Sequence, residues 1–306
     1  MTAENSSTAA AVHASAHKLF SFRRTVAIAA NTFRDLVRQK VFYFMLVFAL
    51  ILIGTSLAMS AMTFKGQLET VMDVCLGAMS VFTMLLAVLS TAMLLPKDME
   101  DRTLYTILAK PVSRFEYLAG KLAGVTLILF VATLLMTAAF CLVLHFWQGR
   151  EIENILLTEP AERAKAAIAT LKAGTFTPTV FGAIGVIFLR SVVCATLTLM
   201  LSCFATSWLF TVIVAFMMIL AGHLVPIACT VWQGPLGSSD VPFHLAILLR
   251  LITVFVPDMQ LFNVVDDIAG GVTVPGEIFL RIAGLGAGYV AVYLLVGWLF
   301  FAWREL

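Results

Sequence analysis

Apolar residues come in long blocks along this chain rather than alternating with polar ones. Windows of about 20 mostly apolar residues occur near 41–62, 74–95, 117–146, 179–205, 208–231 and 277–303. Each is long enough for a helix to cross the hydrocarbon layer of a bilayer, where every backbone N–H and C=O must be satisfied within its own segment. The pattern therefore predicts an all-α integral membrane protein with six transmembrane helices. A seventh apolar stretch, 243–256, is shorter and contains Arg250. It predicts a helix on the outer surface or one that re-enters the membrane.

Ahead of the first block, residues 1–17 are rich in Ala, Ser and Thr and have little to bury, which predicts a disordered tail. Residues 18–40 predict a helix in which Phe22, Val26, Ala29, Phe33 and Val37 share one face, while Arg23, Arg24, Arg34 and Arg38 fall mostly elsewhere. That is the pattern of an amphipathic helix lying at the membrane surface. The apolar block that follows is too long for the core of a cleaved leader, so the first span is expected to be retained. Residues 41–306 then form one membrane domain.

The densest charge lies between the second and third blocks, at 96–124. Asp98, Glu100 and Asp101 would suit the first turn of a short helix, Lys110 its end, and Pro111 its stop. Ser113 and Glu116 have capping-box spacing, so a new helix is expected to begin there and run on into the third span. Two further loops carry structure of their own. Trp147 to Pro178 contains one modest helix, at Pro160 to Lys172, and Gln233 to Glu277 is punctuated by Pro and Gly.

Glu-Asp-Arg-Thr-Leu at 100–104, Lys-Pro-Val-Ser-Arg at 110–114 and Gly120-Lys121, in this order between the second and third spans, resemble the signature loop of ABC-2 type transporter permeases. The segment with Val256, Pro257, Asp258, Phe262 and Asn263, and the ending Phe-Phe-Ala-Trp-Arg-Glu-Leu at 300–306, are similar to the same family's. A departure is Asp98, where the family more often has a glutamate. The resemblance implies that 18–40 is a cytoplasmic elbow helix and that the loop after the second span carries a coupling helix. That helix would dock on a separate ATPase through Asp98, Glu100, Asp101, Arg102, Thr103, Lys110, Pro111, Ser113, Arg114, Glu116 and Lys121. ATP and Mg would then be bound by the partner chain, with no cofactor in this one.

Composition agrees with a membrane chain: 61% of the 306 residues are hydrophobic and 12% charged. Twelve of the 20 Lys and Arg residues fall on the tail, the 18–40 helix, the 96–124 loop and the C-terminal end, against seven on the longer segments opposite. By the positive-inside rule both termini are expected in the cytoplasm. Arg190 is the one charge well inside an apolar block, and it reads as a polar contact in a translocation cavity, or as a pair with an outer-side acid such as Asp73, or as a snorkelling side chain. The five cysteines, Cys75, Cys141, Cys194, Cys203 and Cys229, have no paired spacing, so neither disulfides nor a metal site is predicted. Gly120, Gly124, Gly284, Gly286 and Gly288 would let helices approach closely, within one subunit or at a dimer seam.

No phosphate-cradling Gly-x-x-x-x-Gly-Lys-Ser/Thr string is present, nor His-Glu-x-x-His or Gly-x-Ser-x-Gly. The chain is therefore expected to be non-catalytic. The function implied by the resemblance is the permease subunit of an ABC exporter in the cytoplasmic membrane. It would pair with a second permease copy or a paralogue, with ATPase subunits and with membrane lipids, and bind no nucleic acid. A stand-alone carrier or channel, or a membrane assembly factor for a periplasmic copper enzyme, are the alternatives.

Overall fold

The computed structural model describes residues 21–63, 66–100, 113–158, 160–175, 177–205, 207–233, 256–263 and 275–303. The elements are α1 (Phe22–Val37), α2 (Lys40–Met62), α3 (Gln67–Ala92), α4 (Leu94–Glu100), α5 (Arg114–Thr158), α6 (Ala161–Thr175), α7 (Pro178–Phe204), α8 (Trp208–Gln233) and α9 (Gly276–Trp303). Among the described residues between α8 and α9 there is a 3-10 turn, Gln260–Phe262. Among the described residues there is no strand, and six helices are long and apolar enough to cross a membrane: α2, α3 with α4, α5, α7, α8 and α9.

The bundle is organised around α7, which is buried along most of its length and packs against α3, α5, α8 and α9. Its outer helices present large apolar side chains outward, as Tyr43, Phe44, Val47, Phe48 and Ile51 do on α2. Water would penalise this surface, whereas a lipid solvent does not. The buried hydroxyls are the complement. Those of Thr83, Thr133, Thr196 and Thr198 each donate to the carbonyl four residues earlier, at 2.7 or 2.8 Å, so these four are paired within their own helices.

The third span is longer than the apolar pattern predicts. Its helix runs 45 residues, to Thr158, because nothing from Trp147 onward stops it and Gly149 costs only about 1 kcal/mol in a helix. At 1.5 Å per residue α5 is roughly 68 Å long, about twice a bilayer core, so part of the predicted loop is a helical extension. The modest helix expected at 160–172 is α6. The tail at 1–17 lies outside the described residues, as does the 243–256 stretch apart from Val256.

The amphipathic pattern of α1 does not say which of its residues meet the bundle, and the structure shows them. Thr25, Thr32 and Leu36 are its buried residues, while Phe22 is 75% and Val26 48% exposed. Glycines cause this. A Cβ on Gly124 would come within 2.6 Å of the Thr32 Cβ and 2.8 Å of the Ala29 carbonyl oxygen, and one on Gly120 within 2.8 Å of Ile28. α1 therefore lies directly on the start of α5, through small side chains. Its Phe22 and Val26 stripe, about a quarter-turn round the helix, is left outward. Gly286 receives Leu189 of α7 in the same way, whereas nothing stands within 4 Å of a Cβ at Gly284 or Gly288.

Candidate functional site

Among the described residues, polar side chains gather at the base of the 101–112 loop and in the middle of α7. At the loop base the capping box forms as its spacing predicts. The Ser113 hydroxyl accepts the Glu116 N–H at 3.1 Å, and the Glu116 carboxylate accepts the Ser113 N–H at 3.0 Å. Glu116 does more than cap. It is 1% exposed, it also accepts the backbone N–H of Ser21 at the start of α1, and the Arg24 guanidinium lies 4.0 Å away. Only the ionised carboxylate can accept from all sides in this way.

One turn further on, Lys121 and Tyr117 reach across to α4. The Lys121 ammonium, 6% exposed, stands 2.6 Å from the Asp98 carboxylate, which also accepts the Tyr117 hydroxyl. Lys121 also lies 5.6 Å from the centre of the Tyr117 ring. Asp98 is on the last turn of α4, not in a first turn as the charge pattern predicts, because the helix begins at Leu94, with Pro96 accommodated near its start. The two strands of chain entering and leaving the loop are thus tied by a buried ion pair.

Arg114 makes the third link. Its guanidinium donates to the carbonyls of Phe301 and Ala302, at 2.9 and 2.6 Å. Carbonyls at a helix C-terminus lack intrahelical partners and carry the negative end of the dipole, so a cation there is favoured. The Tyr117 and Phe301 rings stack beside it at 5.9 Å. The loop base therefore joins the ends of α1, α4, α5 and α9.

Of the residues expected at the docking surface, Asp101, Arg102, Thr103, Lys110 and Pro111 lie outside the described residues, and only the backbone of Glu100 is described. Asp98, Ser113, Arg114, Glu116 and Lys121 are brought together, and each engages this chain itself. The sequence reading missed Tyr117, Ser21 and the α9 carbonyls. An isolated tyrosine at the head of a span was the one available signal.

At the second place, Arg190 is 9% exposed and its partners are Ser80 of α3, at 3.0 Å, and the Nε2 of His223 of α8, at 2.7 Å. Neither is the acid expected; Asp73 is not its partner. The buried Nε makes no hydrogen bond. Among the described residues no group of three His, Cys, Asp or Glu could hold a metal. No family model matches the chain, and no curated protein matches it.

Proposed function

We propose that this chain is the membrane permease subunit of an ABC transporter of the ABC-2 type, paired with a second copy and driven by separate ATPase subunits. The observation that carries the reading is the loop with Glu-Asp-Arg-Thr-Leu and Lys-Pro-Val-Ser-Arg, whose two ends are tied by Asp98 and Lys121. A docking loop must pass movement to the spans, and a slack base would absorb it. Here the base is linked to α1 through Glu116 and to α9 through Arg114. Displacing the loop would therefore move the ends of several helices together.

In this reading α1 is the elbow helix at the cytoplasmic membrane surface, and its outward Phe22 and Val26 stripe meets lipid. Both termini are cytoplasmic, and export is the direction of transport. Arg102 and Lys110 are left to meet the ATPase, while Asp98, Glu116 and Lys121 hold the lever rigid. The test is co-expression with an ATP-binding cassette ATPase encoded beside this chain. Arg102→Glu with Lys110→Glu should weaken co-purification of the ATPase, since interfacial charge pairs contribute about 2–5 kcal/mol. Unchanged co-purification and unchanged transport-linked ATP turnover would remove the docking role.

A further inference from the structure

Arg190, Ser80 and His223 stand at the same level of the bundle. They are the thirteenth of 27 residues of α7, the fourteenth of 26 of α3 and the sixteenth of 26 of α8. Arg190 is about 18 Å from the start of its helix at 1.5 Å per residue, too deep for the guanidinium to leave the hydrocarbon layer by extending its side chain. A cation there needs a compensating negative charge, and a buried charge without one is strongly disfavoured.

Neither partner supplies that charge. Ser80 is neutral. His223 Nδ1 lies 2.8 Å from the Ile219 carbonyl, which can only accept, so Nδ1 carries the proton and Nε2 accepts from Arg190. The imidazole is therefore neutral too. Among the described residues no carboxylate lies within salt-bridge distance of Arg190. A guanidinium has five N–H groups. Ser80 and His223 engage two of them, which leaves three, the buried Nε–H included.

The neighbouring backbone is irregular as well. Residues 256–263 lie on α8 at this level: the Met259 N–H donates to the Gly222 carbonyl at 3.2 Å, and the Gln260 amide to the His223 carbonyl at 3.2 Å. A Cβ on Gly222 would strike the Pro257 oxygen at 2.4 Å, so only glycine admits the segment so closely. Non-helical backbone at membrane depth occurs where it is buried in protein or lines a polar cavity.

We propose that Arg190, with Ser80 and His223 orienting it, is a binding site for the acidic group of an otherwise apolar molecule, a carboxylate or a phosphate. Unused N–H groups on one planar cation suit two acceptor oxygens of such a group. The molecule must be apolar elsewhere because the site is reached through hydrocarbon or the apolar bundle. The inference does not depend on an ATPase partner and stands or falls separately from that reading.

The test is the unfolding temperature of the full chain in neutral detergent, with laurate, dodecyl phosphate or dodecanol added below the concentration at which each forms micelles. Laurate and dodecyl phosphate are expected to stabilise the protein and dodecanol is not. Arg190→Gln should abolish the difference. Equal effects of laurate and dodecanol on the wild-type protein would overturn the proposal, even if Arg190→Gln is not recovered folded. So would stabilisation that persists in a folded Arg190→Gln variant. Added inorganic phosphate and phosphatidylglycerol identify the source of the acidic group. Arg190-dependent stabilisation by phosphatidylglycerol assigns the acidic group to a lipid, whereas equal Arg190-dependent stabilisation by inorganic phosphate would overturn the requirement for an apolar body.

Discussion

Glu116 shows how one side chain can exceed its local role. A capping residue alone is worth about 1 kcal/mol, but Glu116 also satisfies the Ser21 N–H from another helix. Glu116→Ala is expected to cost about 1–3 kcal/mol, the penalty of leaving buried donors unmet, read as unfolding by denaturant in micelles. Glu116→Gln, which keeps an accepting oxygen, should cost less. A loss in Glu116→Ala no larger than in Phe115→Ala, whose ring is partly exposed, would contradict the cross-helix role. The Asp98 and Lys121 pair makes a sharper case. Asp98→Leu alone strands the buried Lys121 ammonium and should cost about 3–5 kcal/mol, whereas Asp98→Leu with Lys121→Met should recover most of that loss. Additive losses in the double variant would show that the two side chains do not act as a pair. At this scale the sequence revealed what is local: Ser113 and Glu116 are three residues apart, and their reciprocal bonds follow from spacing. Arg190 meets residues 110 and 33 positions away, which no spacing rule reaches.

The same division holds for the elements. The ends of α2, α7, α8 and α9 lie within a residue or two of the apolar windows, because bilayer thickness imposes length directly on sequence. The face that α1 buries was not legible. Apolar periodicity marks the Phe22 and Val26 side expected at the membrane surface, and both are exposed, while close packing on Gly120 and Gly124 sets Thr25 and Thr32 against the bundle; helix contacts in membranes favour small residues over large ones. α5 outran its predicted end because Gln148, Arg150, Glu151, Glu153 and Asn154 end the apolar run without ending the helix. The glycine account has a direct check. Gly124→Ala should lift α1 from α5 and raise the maleimide reactivity of a cysteine placed at Ile28. Gly288→Ala, with open space at its Cβ, should leave that reactivity unchanged and alter stability by no more than about 1 kcal/mol. Equal reactivity in the two variants would contradict close packing through Gly124.

Among the described residues, six helices long and apolar enough to cross a membrane pack into a bundle with a polar junction at the loop base and Arg190 in its middle. The sidedness expected from the Lys and Arg distribution places Lys97 inside and Thr170 of α6 outside, both exposed positions. Membrane-impermeant maleimide should therefore label Thr170→Cys on intact cells and Lys97→Cys only after permeabilisation; the reverse pattern would invert the topology and take the docking loop with it. The central claim is that the loop between the second and third spans meets an ATPase. It is tested most directly by replacing Arg102 with a photo-crosslinking amino acid in cells and identifying the adduct by mass spectrometry. An adduct with an ATP-binding cassette ATPase is expected, lost when the crosslinker stands instead at outward-facing Leu134. No adduct at Arg102, or one with a protein from the opposite side of the membrane, would contradict it.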